Sequence, residues 1–189
     1  MFNTKQKVAV EELQGDGTYY SKKKQKDLSV NIGYCLNEKI GESISITPEV
    51  SLTLRKSNQN YQHFEDVTST SPVVGGFHEK FFNYYEPVLS LPISLRLSSS
   101  WMYFLNPTIS YRGYTNRAPR DSEGDFLTDK KQHRTLGIYT MGLKKQTGES
   151  SSTVFFVTWQ NQSSNMKHEK YTTYNYSGFS GGIRFQMEY

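Results

Sequence analysis

The stretch ISITPEVSLTLR, residues 44–55, sets Ile44, Ile46, Pro48, Val50, Leu52 and Leu54 at every second position, with Ser45, Thr47, Glu49, Ser51, Thr53 and Arg55 between them. A two-residue period places the two sets on opposite faces of a β-strand, because successive strand side chains alternate. The run is about twice the ~5–6 residues usual for a strand of a globular domain. It meets the ~9–11 residues with which a tilted strand crosses a bilayer.

The same alternation extends outward on both sides. Leu28, Val30, Ile32, Tyr34 and Leu36 alternate with Ser29, Asn31, Gly33, Cys35 and Asn37. Leu89, Leu91, Ile93, Leu95 and Leu97 follow, then Trp101, Tyr103, Leu105, Pro107, Ile109 and Tyr111. Later segments carry Tyr139, Met141 and Leu143, then Phe155, Val157 and Trp159 with Phe156 on the opposite face. A last segment has Phe179, Ile183, Phe185, Met187 and Tyr189 on odd positions. These make seven strands, and Asn3–Leu13 is a weaker eighth.

The connections sort by length. Short turns are expected at Glu38–Glu42, Ser98–Ser100 and Gln146–Ser151, and long polar loops at Gln14–Lys26, Ser57–Glu79, Thr115–Lys131 and Asn161–Lys170. Strict alternation of short and long connections is what outer-membrane barrels show, with short periplasmic turns and longer extracellular loops. Nothing in the physics of a soluble sandwich sorts its loops this way.

Composition agrees. The 189 residues are 35% hydrophobic with mean hydropathy −0.69, low for a compact soluble domain, yet 14% are aromatic, with 14 Tyr and 11 Phe. Disordered chains are poor in aromatics, whereas a barrel needs only one apolar face per strand and aromatic girdles at both interfaces. No apolar run approaches the ~20 residues of a spanning helix. The first ten residues lack a signal-peptide core, so on this reading a leader has been removed. Cys35 is the single cysteine and has no partner for an internal disulfide; the net charge of +4 is compatible with anionic surfaces. The expected fold is all-β: a closed antiparallel transmembrane β-barrel of about eight strands, one domain spanning residues 1–189.

In such a barrel the apolar face meets lipid and the polar face fills the lumen. Glu49, Arg55, Glu86, Arg96, Arg112, Arg184 and Glu188 then form a lumen charge network of both signs, whose members must pair where water is scarce. The terminal Ile183, Phe185, Met187 and Tyr189, alternating and ending on an aromatic residue, resemble the last strand that bacterial outer-membrane proteins present to their assembly machinery. In strand number and loop alternation the whole chain resembles the small eight-stranded outer-membrane barrels typified by the OmpA transmembrane domain and OmpX. The resemblance implies a narrow barrel anchored in the bacterial outer membrane, with outer-membrane lipids, lipopolysaccharide and the assembly machinery as partners, and no single function.

Local motifs add little chemistry. Gly178-Phe-Ser180-Gly-Gly182 fits Gly-x-Ser-x-Gly, but a nucleophile elbow needs a strand-to-helix turn and this one lies inside a strand. His63, His78, His133 and His168 fall in or beside the long loops, with Glu65, Asp66 and Glu79 near two of them; no metal-ligand spacing appears. Lys22, Lys23, Lys24 and Lys26 form a basic run after Tyr19 and Tyr20, suited to lipopolysaccharide phosphates or to a solvated loop. Asn161-Gln-Ser163 and Asn175-Tyr-Ser177 match a glycosylation triplet by chance composition. No cofactor motif and no nucleic-acid module are present. The expected role is structural or surface-interactive, carried by the loops; a passive channel or transporter is the alternative, and a lipid-modifying enzyme using loop histidines a lesser one.

Overall fold

The computed structural model describes residues 9–14, 17–64, 74–168 and 174–187, all as strands, turns and loops without a helix. Fourteen strands follow in order: β1 (Ala9–Gln14), β2 (Gly17–Lys24), β3 (Asp27–Cys35), β4 (Glu38–Ile40), β5 (Ile44–Ile46), β6 (Glu49–Ser57), β7 (Tyr61–Phe64), β8 (Val74–His78), β9 (Tyr84–Ser90), β10 (Ile93–Arg96), β11 (Trp101–Tyr114), β12 (His133–Gly148), β13 (Ser151–Ser164) and β14 (Tyr176–Met187). Ten of them build one antiparallel sheet; β1–β2 and β7–β8 are separate hairpins.

Proline explains why ten segments make only seven long strands. Pro48 and Pro92 have no N–H for the ladder and fall in the gaps between β5 and β6 and between β9 and β10. Their carbonyls still accept, Pro48 from Leu36 N at 3.0 Å and Pro92 from Thr47 N at 2.8 Å. Register is unbroken across the gaps: Glu38↔Ile46 continues Cys35↔Glu49, and Ile93↔Ile46 continues Ser90↔Glu49. The sheet is thus a meander in which every long strand pairs with its neighbours in sequence. Its later strands run 12 to 16 residues, long enough to cross a bilayer at a tilt.

Alternation places the two residue sets as the sequence pattern requires. One cross-strand row joins Pro107, Tyr139, Trp159 and Phe179, all on the apolar face. Tyr139 stacks on Trp159 at 5.1 Å, and Trp159 lies 6.4 Å from Phe179. The opposite face carries Asn106, Thr140, Thr158 and Ser180 in its own row. Of the large apolar side chains left exposed in the sheet, all but Tyr176 point to the first face, from Ile32 at 68% to Phe179 at 79%. Among the described residues the buried apolar side chains are few, Phe81, Ala118 and Met166, with Pro119 beside them, and they lie at the long-loop end.

Several expectations on the connections need correction. The segment Gln14–Lys26 is largely strand: β2 occupies Gly17–Lys24 and pairs with β1, because Thr18, Tyr19 and Tyr20 favour extended backbone over loop. Part of Ser57–Glu79 likewise forms the β7–β8 hairpin. β12 and β13 extend to Gly148 and Ser164, so the turn between them is only Glu149–Ser150 and the following loop starts later. The eighth-strand assignment Asn3–Leu13 lies outside the described residues up to position 8; from Ala9 onward the chain pairs with β2. Within the described residues no pairing joins β14 to β1, β2 or β3, so the sheet has two open edges.

Candidate functional site

The polar face at the long-loop end holds the densest cluster of charged and aromatic groups. Glu86 on β9 stands opposite Arg112 on β11, which follows from the register Ser110↔Val88 and Gly113↔Tyr85. Nε and Nη2 of Arg112 both donate to Oε2 of Glu86, at 2.8 and 2.5 Å, with the side chains 22% and 14% exposed. The guanidinium also covers the Tyr84 ring at 4.2 Å. Tyr84 meets Tyr114 edge-on at 6.0 Å, and Arg117 lies over Tyr114 at 4.9 Å and over Phe81 at 4.3 Å. The result is a column of alternating cations and rings running from the sheet into the loop, each contact stabilising through the ring quadrupole.

The loop after β11 is pinned onto this column. Gln132, fully buried, donates its backbone N–H to Arg117 O at 2.7 Å and accepts from Tyr114 N at 2.9 Å. Arg117 Nη2 donates to the Tyr174 hydroxyl at 2.8 Å, and Gln162 Nε2 donates to Tyr174 O at 2.9 Å, tying in the segment before β14. Arg120 rests over Phe126 at 4.3 Å, and His78 meets that ring edge-on at 4.2 Å.

Within the loop, one Asp121 carboxylate oxygen accepts the backbone N–H groups of Glu123, Gly124 and Asp125, each at 2.9 Å. These donors, that of Asp125 foremost, hold the carboxyl below the ordinary range. A depressed pKa contributes order that is complete above the unfolded value of about 4 and is lost as pH falls through the folded one. Amide-exchange protection at Glu123–Asp125 is therefore expected to be flat from neutral pH to about pH 4 and to drop only below it. A midpoint above that would contradict the geometry.

Of the seven lumen-network charges, the structure brings Glu86 and Arg112 together. Arg55 instead meets Asp27, at 3.4 Å on the same face. Glu49 Oε1 lies 3.9 Å from the exposed Cys35 thiol. Arg96 and Arg184 carry no ion pair to a described residue; Arg184 lies 5.7 Å from the Phe156 ring. Glu188 falls outside the described residues. In the basic run, Lys22, Lys23 and Lys24 lie on β2, and Lys23, Lys24 and Lys26 are exposed. Gly178, Ser180 and Gly182 sit within β14, away from any helix. Gly182 there admits the Phe156 ring, which would lie 3.1 Å from an added Cβ. Glu65 and Asp66, beside His63, lie outside the described residues, and no group of three metal-binding side chains occurs among those described.

Tyr84, Tyr114 and Lys144 belong to no motif, although parity alone puts them on the polar face beside Glu86, Arg112 and Gly142. Phe81 and Arg117 have no periodic signal, because loop folding sets their place. Comparison with protein-family models, curated proteins and solved structures gives no match.

Proposed function

We propose that this chain is an integral outer-membrane β-barrel whose role is structural or surface-interactive and is carried by its long-loop end. The observation that supports this most is the exposed apolar face. It crosses seven antiparallel strands without interruption, and few apolar side chains are buried anywhere among the described residues. In water a patch of that size is a severe liability; in a bilayer it is the lipid-facing surface. Closure would bring β3 and β14, exposed along nearly their whole length, into a ring with the N-terminal segment and remove both free edges. The polar face then becomes the lumen.

On this reading the short turns face the periplasm. The extended hairpins, the Arg117 column and the exposed Lys23, Lys24 and Lys26 face outward, where those cations suit lipopolysaccharide phosphates. The pinned loop and a lumen only wide enough for side chains argue for recognition over free passage. Purified protein in detergent should migrate differently on SDS gels before and after boiling, with a β-type circular dichroism spectrum. A monodisperse protein soluble without detergent would overturn the proposal.

A further inference from the structure

We infer that the polar face at the short-turn end binds a compact oxyanion of the phosphate class, held between Arg96 and Lys144. The inference rests on sheet register and side-chain face, and it stands whether or not the edge strands meet. One cross-strand row runs Arg96↔Met102, Met102↔Lys144, Lys144↔Val154 and Val154↔Arg184. Three cations therefore share one row on one face, each two strands from the next, about 10 Å at ~4.8 Å per strand.

The rows on either side bring no carboxylate. Above lie Ser94, Phe104, Gly142, Phe156 and Gly182; below lie Gln146, Ser152 and Gln186. Among the described residues the acids of this face sit elsewhere: Glu86 on Arg112, Asp27 on Arg55, Glu49 near Cys35. Three like charges in a row without counter-ions among the described residues raise the local positive potential, which attracts an anion from solution.

The row also has a seat. A shallow, open recess of about 160 Å3 lies between Arg96 and Lys144, bordered by the turn Ser98–Ser100, by Trp101 and by Gln146. The hydroxyls of Ser98, Ser99 and Ser100 border it, while the Gln146 amide donates to Gly148 O and Glu149 O in the neighbouring turn, and the guanidinium supplies a planar fork suited to oxyanions. Long side chains from strands two apart converge on the space over Met102. Trp101 belongs to the opposite face, where it meets Lys145 at 5.4 Å, so Lys145 is not part of the seat.

Phosphorus-31 NMR and calorimetric titration of the detergent-solubilised full chain with inorganic phosphate test the assignment. Saturable binding is expected in the wild type and not with chloride. Arg96→Gln and Lys144→Gln should each weaken it roughly tenfold, the loss of one charge-assisted contact. Lys144→Arg should restore most of the affinity, and Arg55→Gln, on the same face but paired with Asp27, should leave it within about twofold. Wild-type protein that binds phosphate no better than chloride would overturn the site. Equal losses in Arg55→Gln would do so too, by reducing the effect to overall charge. Gel mobility before and after boiling, read on every variant, reports separately whether the barrel reading holds.

Discussion

Leu52→Arg is expected to lower folding stability by roughly 2–4 kcal/mol in detergent or lipid, whereas Ser51→Arg should cost about 1 kcal/mol or less. The two positions are neighbours on β6 and differ only in face. Leu52 lies opposite Ile32 on β3 and Pro87 on β9, in the middle of the apolar surface. On the proposed barrel a guanidinium there must leave water for hydrocarbon or drag water into it, and near the centre of the belt its side chain cannot reach either interface. Ser51 opens instead onto a recess of about 210 Å3 on the polar face, lined by Gly33, Cys35, Glu49 and Ser90 among others. An arginine there has room, and Glu49 is in the same recess to meet it. Equilibrium unfolding of both variants by urea in detergent reads the difference. Equal penalties, or the larger one at Ser51, would mean that the apolar face is covered by protein and that lipid plays no part.

The asymmetry between those two positions was legible from the sequence because strand parity is rigid. Once Ile44–Arg55 is read with a period of two, every residue of the strand is assigned to a face, and a register slip would turn the whole apolar set inward. The same rigidity carried across Leu28–Leu36, Leu89–Leu97 and Trp101–Tyr111, where the structure places each apolar set on one face. What alternation does not contain is where a strand stops. The sequences of β2 and of the β7–β8 hairpin lack a sustained apolar–polar alternation, so a periodicity reading takes them for loop, although Thr, Tyr and Val give them extended backbone. Closure is a further step removed. Two strands that pair at a seam look the same in sequence as two strands that end a sheet.

The candidate site was legible in part for the same reason. Parity put Glu86 and Arg112 on one face, but that they stand opposite each other depends on the register between β9 and β11, which is set by the length of the turn Ser98–Ser100 and by Pro92 keeping the strand in step. The charges left over from such pairing are as informative as the pair. Arg96 and Arg184 read in sequence as members of a self-neutralising set, and the rows around them hold only Ser, Gln, Phe and Gly. Glu86 and Arg96 are ten residues apart along one long strand, and the separation of Arg184 from Glu49 and Glu86 shows only once the strands are aligned in register. The Arg117 column lies beyond any periodic argument, since a loop residue is placed by the partners it finds, here Phe81, Tyr114 and Tyr174.

Pairing also sets which charge the fold depends on. Glu86→Ala is expected to destabilise the protein by about 2–3 kcal/mol, somewhat below the ~3–5 kcal/mol for breaking a fully buried pair, because about a fifth of the Arg112 side chain is solvent-exposed. The loss has two parts. Arg112 would keep its charge with neither of its hydrogen bonds to Oε2, and its remaining neighbours are the Tyr84 ring at 4.2 Å and the Tyr114 side chain. A cation–ring contact is worth about 0.5–2 kcal/mol and replaces only part of a charge-assisted bond. Glu86→Gln should fall between, since its amide oxygen still accepts but carries no charge. Arg96→Ala, which removes a cation that has no acidic partner among the described residues, should be close to neutral for stability or slightly stabilising through relief of repulsion with Lys144. The double variant Glu86→Ala with Arg112→Met separates pairing from packing: removing both charges should recover most of the loss, because the cost lies in the stranded guanidinium. Urea unfolding of the four variants in detergent measures all of this on one scale. If Arg96→Ala proves as damaging as Glu86→Ala, or if the double variant is worse than the single one, the polar face is not organised around the Glu86–Arg112 pair, and stability must be sought in the loop column instead.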